Sequence, residues 1–245
     1  MIITAIGDTH GDPTTLKIAE SEINKSDRII FLGDYLDSFH TTWNTGQKEA
    51  LTNILEFKKL YPDKVSLLFG NHDLSYISDP HVSGHQNALH NDIKEFLLSN
   101  ITQFDIVQTI DNWIFVHAGV STNWLTEKME EYDFANVEEL NLIFHNKLYS
   151  VFDHCSMSPY GDSTREGPLW IRPNALTFCM IKGFNQCVGH TEIPSDWQTM
   201  NRVISCSNIN TLDDTKIILV DSPERNIYAK IDTITNQFDL LKSNF

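Results

Sequence analysis

Positive charge is what this chain has least of. Its 245 residues include 18 lysines and arginines against 33 aspartates and glutamates, a formal net charge of −15. A surface of that sign repels duplex nucleic acid and anionic lipid, so a wholly electrostatic nucleic-acid binder is excluded and any basic contact must be local. No apolar run approaches the length that spans a bilayer. The opening MIITAIGDTHGD has neither a basic stretch nor an extended apolar core, a poor secretory signal. The expectation is a cytoplasmic protein without membrane attachment. Cysteine is sparse too. Cys155, Cys179, Cys187 and Cys206 form no C-x-x-C pair, so reduced thiols are expected rather than a disulfide frame. Repeats, low-complexity tracts and linkers are lacking, and with 41% hydrophobic residues the chain reads as one globular domain over 1–245.

What is present is alternation. Ile2–Ile6, Arg28–Leu32 and Val65–Phe69 are apolar runs of strand length. Between them, Thr14–Lys25 and Gly46–Leu60 repeat apolar residues at helical spacing. A βαβαβ opening of this kind predicts parallel strands covered by helices. Asn91–Leu98 and Asn136–Val151 also read as helices, and Asp105–Thr109 and Trp113–Val116 as a strand pair turning at Asp111-Asn112. Strands then dominate, at Gln186–Val188, Arg202–Ser205, Lys216–Val220, Asn226–Ile231 and Gln237–Leu241. They predict a second, largely antiparallel sheet. The expected architecture is α/β, a four-layer αββα sandwich of two mixed β-sheets flanked by helices.

The chemistry sits where strands end. Ile2–Ile6 runs into Gly7-Asp8-Thr9-His10-Gly11, Arg28–Leu32 into Gly33-Asp34-Tyr35-Leu36-Asp37, and Val65–Phe69 into Gly70-Asn71-His72-Asp73. Trp113–Val116 ends in His117-Ala118-Gly119, and Gln186–Val188 in Gly189-His190-Thr191. Each alone is a common turn. Five together, all bearing oxygen or nitrogen donors, point to a metal centre at the carboxyl ends of the strands, where loops diverge and sites form. Carboxylate, imidazole and amide oxygen suit manganese, iron or zinc, and the lack of cysteine in these clusters argues against a soft thiolate site. Two cations about 3.5–4 Å apart can share a carboxylate and turn a shared water into a hydroxide nucleophile near neutral pH.

In order and spacing these motifs resemble the calcineurin-like metallophosphoesterase family, in the style of its serine/threonine phosphoprotein phosphatases and bacterial diadenosine tetraphosphatases. The resemblance runs from Asp8 to about His190. It implies two divalent or trivalent metal ions, manganese first, with iron or zinc as alternatives. It implies that Asp8 and His10 bind the first, that Asp34 bridges, and that Asn71, His117 and His190 complete the second. His72 becomes the general acid at the leaving oxygen, held by Asp37. A carboxylate beside an imidazole fixes its tautomer and favours its charged form on physical grounds as well. The αββα sandwich is implied again.

Two departures bear on the substrate. The phosphoprotein phosphatases carry arginine directly after the second Asp of Gly-Asp-x-x-Asp, where this chain has Ser38, and Glu after Asn-His, where it has Asp73. Arg172, in Gly167-Pro168-Leu169-Trp170-Ile171-Arg172, is the replacement candidate for the phosphate contact, with Arg165 a weaker one. Many small relatives read Gly-His-Thr-His at the last motif, where this chain has Glu192. The expected partner is therefore a phosphorylated substrate, either a phosphoprotein or a nucleotide-type phosphoester such as a dinucleoside polyphosphate. A relative that has lost catalysis and only binds is the competing class. The loop Tyr35–Gly46, with Phe39, His40 and Trp43, is either substrate-recognising or covered. His81 and His85 have the i, i+4 spacing of a metal pair, but Ser83-Gly84 between them disfavours a helix.

Overall fold

The computed structural model describes residues 1–38, 40–78, 82–153, 160–193, 203–207 and 214–245, with the backbone alone at 205–207 and 214. Eleven strands form two sheets among these residues. The first sheet has the order β11-β10-β1-β2-β3-β4, from Gln237–Lys242, Ile227–Asp232, Ile2–Ile6, Arg28–Phe31, Val65–Leu68 and Phe104–Asp105. The second has the order β5-β6-β7-β9-β8, from Val107–Ile110, Trp113–Val116, Asn185–Val188, Asp214–Leu219 and Val203–Ser207.

Side-chain alternation explains how the sheets stack. Ile3 and Ala5 of β1, Ile30 of β2, Leu68 of β3, Trp113 and Phe115 of β6, Cys187 of β7, Ile218 of β9, and Ala229 and Ile231 of β10 form one buried cluster. This is the seam between the sheets, since successive strand residues face opposite sides. The opposite faces, with Ile6, Ile29, Phe31, Leu67, Ile114, Val116, Ile217 and Leu219, join a larger cluster with the helices. There α1 (Thr14–Glu22) contributes Ile18 and Ala19, α2 (Gln47–Leu60) Leu51, Ile54 and Leu55, and α5 (Thr122–Tyr132) Trp124 and Leu125. The result is the expected αββα sandwich of two mixed sheets. No helix among the described residues is long and apolar enough to cross a membrane.

The C-terminal strands correct the sequence reading. They do not build one antiparallel sheet. Strands β10 and β11 return to the first sheet, where β10 pairs antiparallel with β1 at the register Ala5↔Ala229. In the second sheet β7 runs parallel to both of its neighbours, β6 and β9. The alternation of β10, with Ile227, Ala229 and Ile231 buried, fits either sheet equally. The edge of β1 decides which.

Asn136–Val151 is not one helix. It splits into a 3₁₀ turn at Val137–Glu139, α6 at Leu140–His145 and a second 3₁₀ turn at Tyr149–Phe152. Lys147 breaks it with a φ of +65°, a left-handed geometry that no helix continues through. Leu140, Phe144 and Val151 stay buried because the short turns still present them to the core. Asp105 pairs with β3 rather than with the hairpin, which is formed by β5 and β6 alone. A short helix, α3, covers Asn71–Leu74, and α4 spans His90–Ser99, but Leu98 is exposed and only Leu97 of the Phe96-Leu97-Leu98 run is fully buried. Cys179 and Cys187 are free, buried thiols; Cys155 and the side chain of Cys206 lie outside the described residues.

Candidate metal centre

Parallel pairing of β1, β2 and β3 in one sheet, and of β6, β7 and β9 in the other, sends all their carboxyl ends to the same side. The five motif-bearing turns meet there. His10, Asp34, Asp37 and His190 all take positive φ, between +42° and +63°. A non-glycine residue in that region stores strain of order 1 kcal/mol, and such strain clusters at functional sites.

Asp73 holds the strain in place. Its side chain is fully buried. Oδ2 accepts the amides of Asp34 at 2.9 Å and Gly70 at 3.0 Å, and Oδ1 accepts that of Tyr35 at 2.9 Å. One carboxylate thus ties the turn after β2 to the turn after β3. Two glycines allow the close approach: a Cβ at Gly70 would overlap Asp34 Oδ1, and one at Gly189 would overlap Asp8 Oδ1.

Two ligand groups result. Donor atoms of Asp8, His10 and Asp34 lie within 4.8 Å of one another, as do those of Asp34, His117 and His190. Asp34 belongs to both. Asn71 Oδ1 lies 2.9 Å from His117 Nε2 and 3.1 Å from His190 Nδ1. Each imidazole is oriented by a backbone carbonyl on its far side. His10 Nδ1 donates to Leu36 O at 2.5 Å, His117 Nδ1 to Leu32 O at 2.9 Å, and His190 Nε2 to Trp170 O at 3.2 Å. Those bonds assign the tautomers and leave the other nitrogen of each ring as a bare lone pair turned inward.

A cation fits this donor set. Asn71 Oδ1, His117 Nε2, His190 Nδ1 and Asp34 Oδ2 converge with no proton among them, and Asp34 Oδ2 lies 3.4 Å from His117 Nε2. Turning the Asn71 amide around would pair both rings with N–H, yet the Asp34–His117 approach would remain lone pair against lone pair. A divalent ion would satisfy all four. Electrostatics agree: burial pushes the carboxyls of Asp8 and Asp34 up, and pushes His10, His190 and His117 down, His117 to about 4. Neutral imidazoles are the form that binds metal, and a cation touching both carboxylates would keep them ionised.

A cavity of about 820 Å³ opens over this cluster. His72 stands at its edge, with Nδ1 at 3.1 Å from Asp37 Oδ2 and Nε2 at 4.0 Å from Asp34 Oδ2. The charges of Asp34 and Asp37 outweigh the cost of burial and raise the imidazole to about 9. Arg172 lines the cavity and is pinned through Nη1 to His190 O at 2.7 Å and Thr191 Oγ1 at 3.1 Å. Arg165 is exposed and lies outside the cavity lining.

Two residues of this wall escaped the sequence reading. Arg225 binds Asp221 Oδ1 at 2.5 Å and Glu192 Oε1 at 2.8 Å, and all three line the cavity. Asp221 directly follows β9 and its neighbour Val220, so it repeats the strand-then-acid pattern of the other clusters. Assigning β9 to an antiparallel sheet hid that its carboxyl end faces the same way as that of β7. Glu192 therefore turns to an arginine. In the Tyr35–Gly46 loop, Ser38 and His40 line the cavity, whereas Trp43 is core, packed edge-on against Phe96 at 5.0 Å; Phe39 lies outside the described residues. So does His81, while His85 bonds Ser75 and His90.

Comparison with known proteins follows the same lines. Residues 1–194 match the family described as calcineurin-like phosphoesterase. The serine/threonine-protein phosphatase 4 catalytic subunit of Eremothecium gossypii is 32% identical over 137 residues, 51% of this chain and 40% of the relative. The chain thus spans well under two thirds of that relative's length. Among solved structures, a cold-active protein-tyrosine phosphatase of a psychrophilic Shewanella aligns over 98% of this chain and 80% of its own, with a TM-score of 0.60 at 16% identity. A protein serine/threonine phosphatase from Saccharomyces cerevisiae aligns over 100% and 81%, with a TM-score of 0.57 at 13% identity. At such identities these structures speak to the fold alone.

Proposed function

This chain belongs to the calcineurin-like phosphoesterase family, and from that premise we propose that it is a dinuclear-metal phosphatase acting on phosphate monoesters, of the serine/threonine protein phosphatase type. The observation that carries the proposal is the convergence of two three-residue donor groups on the shared Asp34 carboxylate. Asp8, His10 and Asp34 would hold one ion, and Asp34, Asn71, His117 and His190 the other. Oxygen and nitrogen donors without thiolate favour Mn²⁺, with iron or zinc also compatible. When bound, such ions polarise phosphoryl oxygens and bring the pKa of water toward neutrality.

The remaining residues position and protonate. Arg172, fixed by the His190 carbonyl, presents its guanidinium to the phosphoryl oxygens, a geometry that suits bidentate contact. His72 carries a proton on Nε2, held there by Asp37, and delivers it to the leaving oxygen, a role worth about 10²–10⁴ in rate. A second reading is hydrolysis of a dinucleoside polyphosphate or another small phosphoester. Ser38 favours it, since it lines the cavity where the protein phosphatases place an arginine.

The test is a single preparation with its metals analysed. It is assayed with Mn²⁺ against p-nitrophenyl phosphate, a phosphoserine peptide and diadenosine tetraphosphate. Turnover of the first two supports the protein-phosphatase reading; preference for the third supports the second. Absence of turnover on any phosphoester with Mn²⁺, Fe²⁺ or Zn²⁺ overturns both and leaves a binding protein.

A further inference from the structure

Asp37 is more than a partner for His72. It is 2% exposed, so neither carboxylate oxygen can rely on bulk water. Oδ2 takes His72 Nδ1 at 3.1 Å. Oδ1 accepts the phenolic hydroxyl of Tyr76. Tyr76 is itself fully buried, one turn beyond His72, and its ring stacks on His85 with centroids 4.2 Å apart and planes 18° apart. The hydroxyl oxygen accepts the Gln86 amide at 2.9 Å. The Gln86 side chain reaches Asp37 Oδ1 at 3.4 Å and Gln47 Oε1 at 2.8 Å, and Gln47 Oε1 in turn accepts the Asp37 amide at 3.3 Å. Burial and the Asp37 charge keep the phenol protonated throughout the working range, so it is always a donor.

We propose that Tyr76 is a positioning residue that locks the Asp37 carboxylate in the rotation that aims His72 Nε2 into the cavity. The claim rests on the acid role given to His72 above. A carboxylate turns freely about its last bond unless both oxygens are bound. Here Tyr76 binds one, and the stack on His85 and the bond from Gln86 fix Tyr76. Without the hydroxyl, Oδ1 keeps only the long Gln86 contact at 3.4 Å, which loosens the carboxylate and, with it, the imidazole. The Tyr76 hydroxyl bonds Asp37 and Gln86, neither of them among the six proposed ligands, so metal binding is left alone.

Leaving-group dependence tests this. p-Nitrophenolate departs without a proton, whereas phenolate and alkoxide need one. Tyr76→Phe keeps the ring and its stack and removes only the hydroxyl. It is expected to change kcat for p-nitrophenyl phosphate less than about 3-fold and to lower kcat for phenyl phosphate about 10- to 100-fold, the range for losing an outer partner. KM and bound metal stay the same. His72→Ala shows the same pattern with larger amplitude, and the double variant is no worse than His72→Ala on phenyl phosphate. An equal loss on both substrates, or additive losses in the double variant, overturns the proposal while leaving His72 as the acid. A His72→Ala effect independent of leaving group overturns the acid role and this proposal together. If the phenylalanine variant does not fold, Gln86→Met removes the other side-chain contact to Oδ1 while keeping the backbone bond to the Tyr76 hydroxyl; it is expected to show the same leaving-group dependence at smaller amplitude, and an equal loss on both substrates there is equally fatal.

Discussion

The two walls of the cavity are built differently. The wall from the first sheet, with Asp8, His10, Asp34, Asp37, Asn71 and His72, is held by bonds between side chains and the backbone of neighbouring turns. Asp73 ties three amides, and the carbonyl of Leu36 orients His10. The wall from the second sheet adds His117 and His190 to the donor groups and, beside them, holds two cationic side chains, Arg172 and Arg225. Arg225 is fixed by Asp221 and Glu192, and Glu192 lies 33 residues away in the chain. The first wall is a set of positive-φ turns tied together by side-chain-to-backbone bonds. The second is a set of charges that pair across the fold, and its pieces are individually ordinary. The difference separates the donor groups, to which both sheets contribute, from the paired charges beside them, which we assign to the substrate.

If that division is right, the largest effect belongs to the residue both donor groups share. Asp34→Asn preserves shape and the bond that Oδ1 accepts from the His72 amide at 2.9 Å, but removes the charge. Loss of several kcal/mol of phosphoryl stabilisation corresponds to about a 10³-fold fall in kcat/KM. Bound metal should fall as well, measured by elemental analysis. Stability of the metal-free protein should not fall, because the variant relieves a carboxylate that burial disfavours. A lower melting temperature without metal would make Asp34 a structural residue and break the contrast between the walls.

Asp73 is the opposite case. It lines no part of the cavity, and its work is structural. Asp73→Ala leaves three buried amides without acceptors, each costing about 1–3 kcal/mol. A loss of about 3 kcal/mol overall would lower the melting temperature by roughly 6–12 °C for a chain of this size, as read by calorimetry. A variant that melts normally but loses metal would move Asp73 from scaffold to ligand sphere.

How much of this was legible follows the same division. Asp8, Asp34 and Asn71 could be found because a strand, a glycine and a donor recur together at each turn, and the glycines are there for contacts the turns must make, as the Gly70 approach to Asp34 shows. The four layers were legible from the periods alone. The placement of β10 was not, because burial of Ile227, Ala229 and Ile231 is equally served by either sheet, and only the open edge of β1 distinguishes them. That error carried into the site. With β9 taken as antiparallel, the end of its strand pointed away, and Asp221 and Arg225 went unread. The break at Lys147 was invisible for a different reason: lysine has no propensity against the helix, and nothing in its own side chain marks the left-handed turn between the buried Phe144 and Val151. Tyr76 could not be found from spacing, since its role depends on where Asp37 sits after folding.

The smallest effect expected is the most informative about the second wall. Glu192 stands where many relatives have a ligand histidine, yet its carboxylate binds Arg225 Nη2 at 2.8 Å and its side chain is 51% exposed. An ion pair that exposed contributes about 0–1 kcal/mol, and Arg225 keeps its second partner, the buried Asp221. Glu192→Gln should therefore leave bound metal and melting temperature unchanged and shift kcat/KM for p-nitrophenyl phosphate by less than about 5-fold, as 1 kcal/mol allows. For a phosphopeptide the shift should appear in KM, because the amide lets Arg225 relax toward the cavity. A loss of metal in this variant would instead give Glu192 the ligand role of the missing histidine, and the paired charges of the second wall would then belong to the metal centre.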